Sequence, residues 1–184
     1  MIESIRRISR ELLLTMQRTN NYNVNSLWEN EDLEREKMKI VEVKNDKKKY
    51  ISLLLLADEQ EDMIDRYLER GTMFVLEDQG VKAECVVTDE GNGVLEIKNL
   101  ATEPAYQGRG YGKALIDYVA ENFKDKYSLL LVGTGDSPLT IPFYEKCGFQ
   151  RSHIVKDFFV DHYDHPIYEA GVQLIDMIYL QRKL

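Results

Sequence analysis

Cysteine is scarce in this chain, positive charge is outnumbered, and no apolar run is long. The two cysteines, Cys85 and Cys147, form neither a CxxC pair nor a Cys/His cluster. That argues against a zinc site or a disulfide scaffold and fits a reducing compartment, with the cytoplasm as the default. Lysine and arginine number 24 against 32 aspartate and glutamate, a net charge of −8. Such a balance excludes a general nucleic-acid or anionic-membrane surface, so any phosphate site must be local. Leu12-Leu13-Leu14 is too short for a secretory core, and ISLLLLA at 51–57 is too short to span a bilayer. Arg6, Arg7, Arg10 and Arg18 have a transit-peptide flavour that Glu3 and Glu11 oppose. What is present is 184 residues, 43% of them hydrophobic, enough for one well-buried core and short for two.

Ile2, Ile5, Ile8, Leu12 and Met16 recur at helical spacing and predict an amphipathic helix over 2–18. The asparagine-rich stretch behind it breaks that pattern and reads as an arm anchored by Trp28. Residues 1–36 thus form a helix and arm, and 37–184 a single domain. Within the domain, MKIVEV (38–43) alternates as a strand, 47–57 and 59–70 read as helices, and Gly71 caps the second. Strands over 72–78 and 81–89 meet in a hairpin at Gln79-Gly80, and a third follows over 94–102. A helix over 110–124 carries the buried stripe Leu115, Tyr118, Val119 and Phe123. SLLLV (128–132) is a continuous apolar run, as expected of a strand paired in parallel through a helical crossover. Ser137-Pro138 reads as the N-cap and first position of a helix that stops at Gly148, with Pro142 able to kink it. Strands over 149–155 and 172–183 close the chain around an acidic loop, 156–171. The fold class is α/β with a mixed sheet.

Between the third strand and the helix at 110 stands AYQGRGYGKAL, with glycines at 108, 110 and 112. A glycine-rich turn entering a helix suits phosphate, because unpaired N–H groups and the positive end of the helix dipole converge there. A G-x-G-x-x-G loop would need glycine at 113, which is Lys113; a Walker A loop would need Gly and Ser/Thr where Gln107 and Ala114 stand. Both nucleotide loops fail on register. The stretch does match Q/R-x-x-G-x-G/A at Gln107, Gly110 and Gly112, and PFYEKCGF (142–149) follows it on a later helix. In these two motifs and their order, residues 38–184 resemble the GNAT acyltransferase superfamily.

The resemblance implies a mostly antiparallel sheet splayed at a central parallel strand pair and flanked by helices. It also implies acetyl-CoA as donor without a metal. Its pyrophosphate would lie on the amides of Gln107, Gly108, Arg109, Gly110, Tyr111 and Gly112, with Arg109 and Lys113 as side-chain candidates or simply a solvated helix face. The pantetheine arm would pair with the backbone of Leu100, Ala101 and Thr102, one of whose N–H groups would serve the oxyanion. Tyr144 occupies the tyrosine of the second motif; a phenol of pKa about 10 can protonate a departing thiolate whose conjugate acid sits near 8.5. Glu96, eleven residues before Gln107, falls at the general-base position of the histone-acetylating branch; it reads equally as a partner of Lys98 on the same strand face. Where the family often has asparagine beside the cofactor, this chain has Ser137, which capping alone would explain.

The acceptor would be the primary amine of a small molecule or peptide. The loop 156–171 carries Asp157, Asp161, Asp164 and Glu169 against one lysine, which suits a cationic amine or is simply a solvated loop. His162 and His165 lack a third nearby ligand, a poor zinc set. Two other readings stand beside the enzyme: an acyl-CoA-binding module without turnover, and a domain whose residues 1–36 engage a partner or a second copy in a homodimer.

Overall fold

The computed structural model describes residues 38–184; the helix expected over 2–18 and the Trp28 arm lie outside the described residues. The chain opens with β1 (Lys39–Val43), a 3-10 turn (Lys47–Tyr50), α1 (Ile51–Leu54), α2 (Glu61–Leu68), β2 (Thr72–Glu77), β3 (Val81–Gly91) and β4 (Val94–Thr102). A second 3-10 turn (Pro104–Tyr106) leads to α3 (Tyr111–Phe123), β5 (Leu129–Gly135), α4 (Thr140–Lys146) and β6 (Gln150–Val155). A short α5 (Phe158–His162), a two-residue pair β7 (Tyr168–Glu169) and β8 (Val172–Gln173), and β9 (Met177–Lys183) complete it. Seven strands form one sheet in the order β1-β2-β3-β4-β5-β9-β6.

Every neighbour in that sheet is antiparallel except β4 and β5, which α3 joins as a crossover. The parallel ladder runs only from Val94–Leu129 to Ile97–Val132. Beyond it β4 stays with β3 as far as Thr102, while β5 stays with β9 as far as Gly135. The two central strands therefore part at Lys98. At that level β3 pairs Val86 with Asn99 and Val87 with Ile97, so Lys98 is an extra residue. A bulge of this kind bends its strand and strengthens its twist, which turns the end of β4 away from β5.

Period-two alternation sorts the side chains between two layers. Ala83, Cys85, Val87, Leu95 and Ile97 pack with Leu115, Ile116 and Val119 of α3. The three α3 residues are fully buried, each contributing about 1.5–3 kcal/mol. Met73, Val75 and Val86 face the other way, onto Leu54 of α1 and Ile64, Tyr67 and Leu68 of α2. Phe159, Ile167 and Leu174 make a small cluster of their own.

The helix expected over 47–57 is instead a 3-10 turn and one α turn. Lys47 turns its ammonium onto the carbonyls of Leu68 (2.9 Å) and Gly71 (2.7 Å) at the end of α2, a favourable place for a cation. The helix expected from Ser137 begins at Thr140, with Leu139 at its cap. Ser137 Oγ accepts the Leu139 N–H at 3.1 Å, so the serine closes a turn and the helix starts after it. The last strand is shorter than 172–183: Ala170 (φ 51°) and Gly171 (φ 77°) turn β7 into β8. The acidic loop also contains α5.

Candidate active site

The parting of β4 and β5 leaves the β5-facing edge of β4 from Lys98 to Thr102 without a strand partner. The glycine-rich loop follows that edge directly. Gly108 (φ 75°) and Gly110 (φ 87°) take left-handed conformations, and a β-carbon at either would meet nothing within 4 Å. Gly110 is the N-cap of α3 and brings no side chain to it, so the first helical N–H groups are open to an anion. Gly112 serves differently. A β-carbon there would come within 3.2 Å of Phe143 Cζ, so its absence lets α3 and α4 approach at the cleft. The loop thus has open amides at the positive end of the α3 dipole, the donors a diphosphate needs.

The neighbouring side chains are engaged with one another. Gln107 Nε2 donates to Thr102 O (3.2 Å), tying the loop to the edge of β4. Arg109 donates to Ala105 O at 3.4 Å and lies over the Tyr106 ring, 4.9 Å from its centroid. Lys113 pairs with Asp117 one turn along α3. Tyr111 is buried with its hydroxyl donated to Asp78 in the β2–β3 hairpin, so only its backbone faces the loop. Leu100 and Thr102 lie on the α3 side of β4: Leu100 packs into the α3 core cluster, and Thr102 Oγ1 lies near Gly112.

Tyr144 projects from α4 into the core shared with α3, edge-on to Phe143 and Phe149 with centroids 5.1 and 5.6 Å away. It is buried. Burial, foremost, pushes its phenol above the usual range, so it holds its proton throughout neutral pH. Cys147 is buried in the same cluster, and burial raises its thiol, the condition of a packing residue.

Glu96 is buried on the sheet face away from α3, opposite Thr88. Lys98 Nζ holds its Oε1 at 2.8 Å and also lies 3.5 Å from Glu90. Tyr179 of β9 stands nearby; burial, followed by the charge of Glu96, pushes its phenol up to about 12. The Tyr179 ring stacks on His153 at 4.5 Å.

The same face holds groups that motif reading passed over. Glu84 on β3 is fully buried, and its Oε1 accepts the Ala101 N–H at 2.9 Å. Burial pushes its carboxyl up to about 8. Asn99 Nδ2 donates to Leu54 O (3.0 Å) and Tyr67 Oη (2.8 Å). Asp58 then accepts hydroxyls from Tyr67 (3.2 Å) and Tyr163 (3.1 Å). Gln60 accepts the Asp164 N–H (3.1 Å), and His165 lies between Asp164 and Glu59. A hydrogen-bonded chain thus runs from β4 through α2 to the acidic loop, docking that loop on the α1–α2 connection. The sequence carries no signal for Glu84, which shares its strand face with Lys82, Val86 and Thr88, a mixed row in which a carboxylate reads as exposed. Nor does it carry one for the partners of Asn99, because they come from residues 32 and 45 positions away.

Among the described residues no group of three His, Cys, Asp or Glu could hold a metal ion, and no helix is long and apolar enough to cross a membrane.

Comparison with known proteins agrees with this geometry. A family model described as an acetyltransferase (GNAT) domain matches residues 69–151. An uncharacterized N-acetyltransferase of Bacillus subtilis, YvbK, is 37% identical over 131 residues, covering 70% of this chain and 84% of its own. A GNAT family acetyltransferase from Elizabethkingia anophelis, solved with acetyl-CoA bound, superposes with a TM-score of 0.76 at 33% identity. It covers 80% of this chain and 99% of its own. A Bacillus subtilis acetyltransferase solved with CoA gives 0.73 at 34% identity, with 80% and 99% covered. Parted central strands, open amides at the head of α3 and relatives that hold acetyl-CoA or CoA lead to one conclusion: the chain belongs to the GNAT family of N-acetyltransferases, with acetyl-CoA as its acyl donor.

Proposed function

We propose that this enzyme transfers the acetyl group of acetyl-CoA to the primary amine of a small molecule or peptide by direct attack, without an acetylated enzyme intermediate. The observation that carries this reading is the cleft edge of β4, from Lys98 to Thr102, with the glycine-rich loop at one end and Tyr144 across the α3 side. Backbone amides of residues 107–112 would hold the diphosphate, and the β4 edge at Leu100, Ala101 and Thr102 would take the pantetheine as an added strand. The Ala101 N–H is already given to Glu84, which leaves those of Leu100 and Thr102 for donor and oxyanion. Ser137, spent on the Leu139 N–H, would contribute by shape.

An amine must lose a proton to attack, and the thiolate must gain one to leave. Tyr144, neutral and buried, would supply the second proton. Glu96 stands at the family's base position with its charge engaged by Lys98, so service as a base requires the amine to displace that ammonium. The buried, free cysteines suit a reducing cytoplasm, and residues 1–36 would act as a separate arm for a partner or second copy. Deleting 1–36 and measuring mass in solution and turnover tests the arm; no change in either removes it.

The transfer itself is tested by thiol release from acetyl-CoA against a panel of amines. Amine-dependent release with one N-acetylated product is expected. CoA binding with no amine-dependent release overturns the reading in favour of a sensor module.

A further inference from the structure

The residue at which β4 leaves β5 is itself a primary amine. Lys98 is the extra residue of the β4 bulge and the first on the edge that β5 no longer covers. Its ammonium lies 2.8 Å from Glu96 Oε1 and 3.5 Å from Glu90. The Lys98 side chain is 21% exposed, so solvent reaches it. Among the described residues it is the one cation in an ion pair with Glu96. Glu90 has further partners, Arg70 at 2.8 Å and Thr88 Oγ1 at 2.6 Å. Two other lysines stand near the donor's path, both beside the glycine-rich loop: Lys113 pairs with Asp117 on α3, and Lys82 lies over the Tyr106 ring, 4.1 Å from its centroid.

A direct transfer needs an amine at the parted strands, a carboxylate to take its proton and a donor for the departing sulfur. Lys98 and Glu96 bring the first two together in contact. Lys98 stands two residues before Leu100, on the edge that would take the pantetheine. Two residues of extended strand span roughly 6.6 Å, about the length of a lysine side chain, so a swing of its stem carries the amine to the thioester. Glu96 and the ammonium it holds lie on the sheet face away from α3, whereas Tyr144 lies on the α3 side. The amine can therefore add from one face while the sulfur is protonated from the other. We propose that Lys98 is a self-acetylation site, at which the chain transfers the acetyl group of bound acetyl-CoA to its own side chain within one molecule. This rests on the reading of the chain as an amine acetyltransferase and names an acceptor that the chain itself carries.

The proton account closes. The Lys98 ammonium gives one proton to Glu96, and the freed nitrogen lone pair forms the N–C bond to the thioester carbonyl. As the C–S bond breaks, Tyr144 gives its proton to the departing sulfur, and the second proton shed by the acylated nitrogen restores the phenol. The products are Nζ-acetyl-lysine, CoA thiol and one proton, which Glu96 passes to water. The amide carries no charge, so Glu96 loses its ion pair while Glu90 keeps Arg70. An external amine then meets a carboxylate with no ammonium to displace.

The test incubates the full chain with acetyl-CoA and follows each lysine by peptide mass spectrometry, beside thiol release with a panel of amines. Lys98 should be acetylated roughly 10²-fold faster than the exposed Lys124, at a first-order rate that does not change with protein concentration. Glu96→Gln should slow the labelling of Lys98 about 10²-fold and leave that of Lys124 unchanged. Without any turnover, bound CoA should shield Lys98, and not Lys124, from acylation by N-hydroxysuccinimidyl acetate. Labelling of Lys98 no faster than that of Lys124, or indifferent to Glu96→Gln, is chemical acylation and overturns the proposal. A first-order rate constant that climbs with protein concentration overturns it too, since one copy is then acetylating another. Acetylation of external amines with Lys98 unlabelled overturns it and leaves the transferase reading standing. Rapid, Glu96-dependent labelling of Lys98 with no external amine acetylated supports it and counts against transfer to external amines. Should Glu96→Gln fail to fold, the wild-type chain decides: Lys98 equally reactive with and without CoA overturns the proposal.

Discussion

Tyr144 and Glu96 sit in very different surroundings for two residues that the resemblance pairs in one reaction. Tyr144 is wrapped in apolar contacts and carries its proton at any working pH; Glu96 is tied to Lys98. Tyr144→Phe keeps the ring and its edge-on contacts and removes only the hydroxyl. Turnover should fall about 10²-fold or more, with the acetyl-CoA dissociation constant within about twofold as measured by calorimetry; an unchanged rate would remove the tyrosine from proton transfer. The resemblance places both by motif position, Tyr144 in the FYEKCGF stretch and Glu96 eleven residues before Gln107. Nothing places Glu84, because an alternating strand gives no sign of whether an inward carboxylate is tolerated, satisfied or used. Only the bond to Ala101 and the buried Oε2, which has no partner among the described residues, raise that question.

Among the elements, the head of α3 was the most legible, because glycine register admits few alternatives. Gly110 holds φ at 87°, where a side chain costs roughly 1 kcal/mol. Gly110→Ala should weaken acetyl-CoA binding about three- to tenfold in a calorimetric titration, while leaving the amine KM unchanged once the donor saturates. The acidic loop was the least legible. Its charge suggests a solvated or substrate-facing stretch, and it is pinned by Tyr163 and Asp164 to Asp58 and Gln60, more than a hundred residues away in sequence. Contacts that distant leave no local period. Tyr163→Phe should cost about 1 kcal/mol of local stability. Amide exchange over 158–165 should quicken and acceptor KM rise a few-fold, with donor affinity unaffected. The short α1 and the late start of α4 were missed for a related reason: Lys47 capping α2 and Ser137 closing a turn are choices that tertiary partners make.

For the whole molecule, a carboxyl whose ionisation burial opposes couples folding to pH. Glu84 ionises at its ordinary value near 4.5 in the unfolded chain and at about 8 in the folded one. The folded state therefore binds more protons between those values. The stability this confers is complete below 4.5 and is lost as pH rises to 8, by up to about 5 kcal/mol. Chemical denaturation of wild type and Glu84→Gln at pH 5 and pH 8 checks this: the variant should gain on the wild type as pH rises, and parallel curves would contradict it. The β2–β3 hairpin, the crossover and the parallel pair followed from the alternation of strand and helix periods. The parting of β4 from β5 came from resemblance, because its local cause is one uncounted residue. Glu96 and Asn99 share a face although three positions separate them, since Lys98 adds an odd step between partners two apart on β3. The cleft is in this sense a matter of phase. Removing Lys98 would leave each neighbouring cross-strand pair intact and restore an even count. The shortened chain should then keep its sheet while losing its grip on acetyl-CoA, a frameshift confined to a single strand.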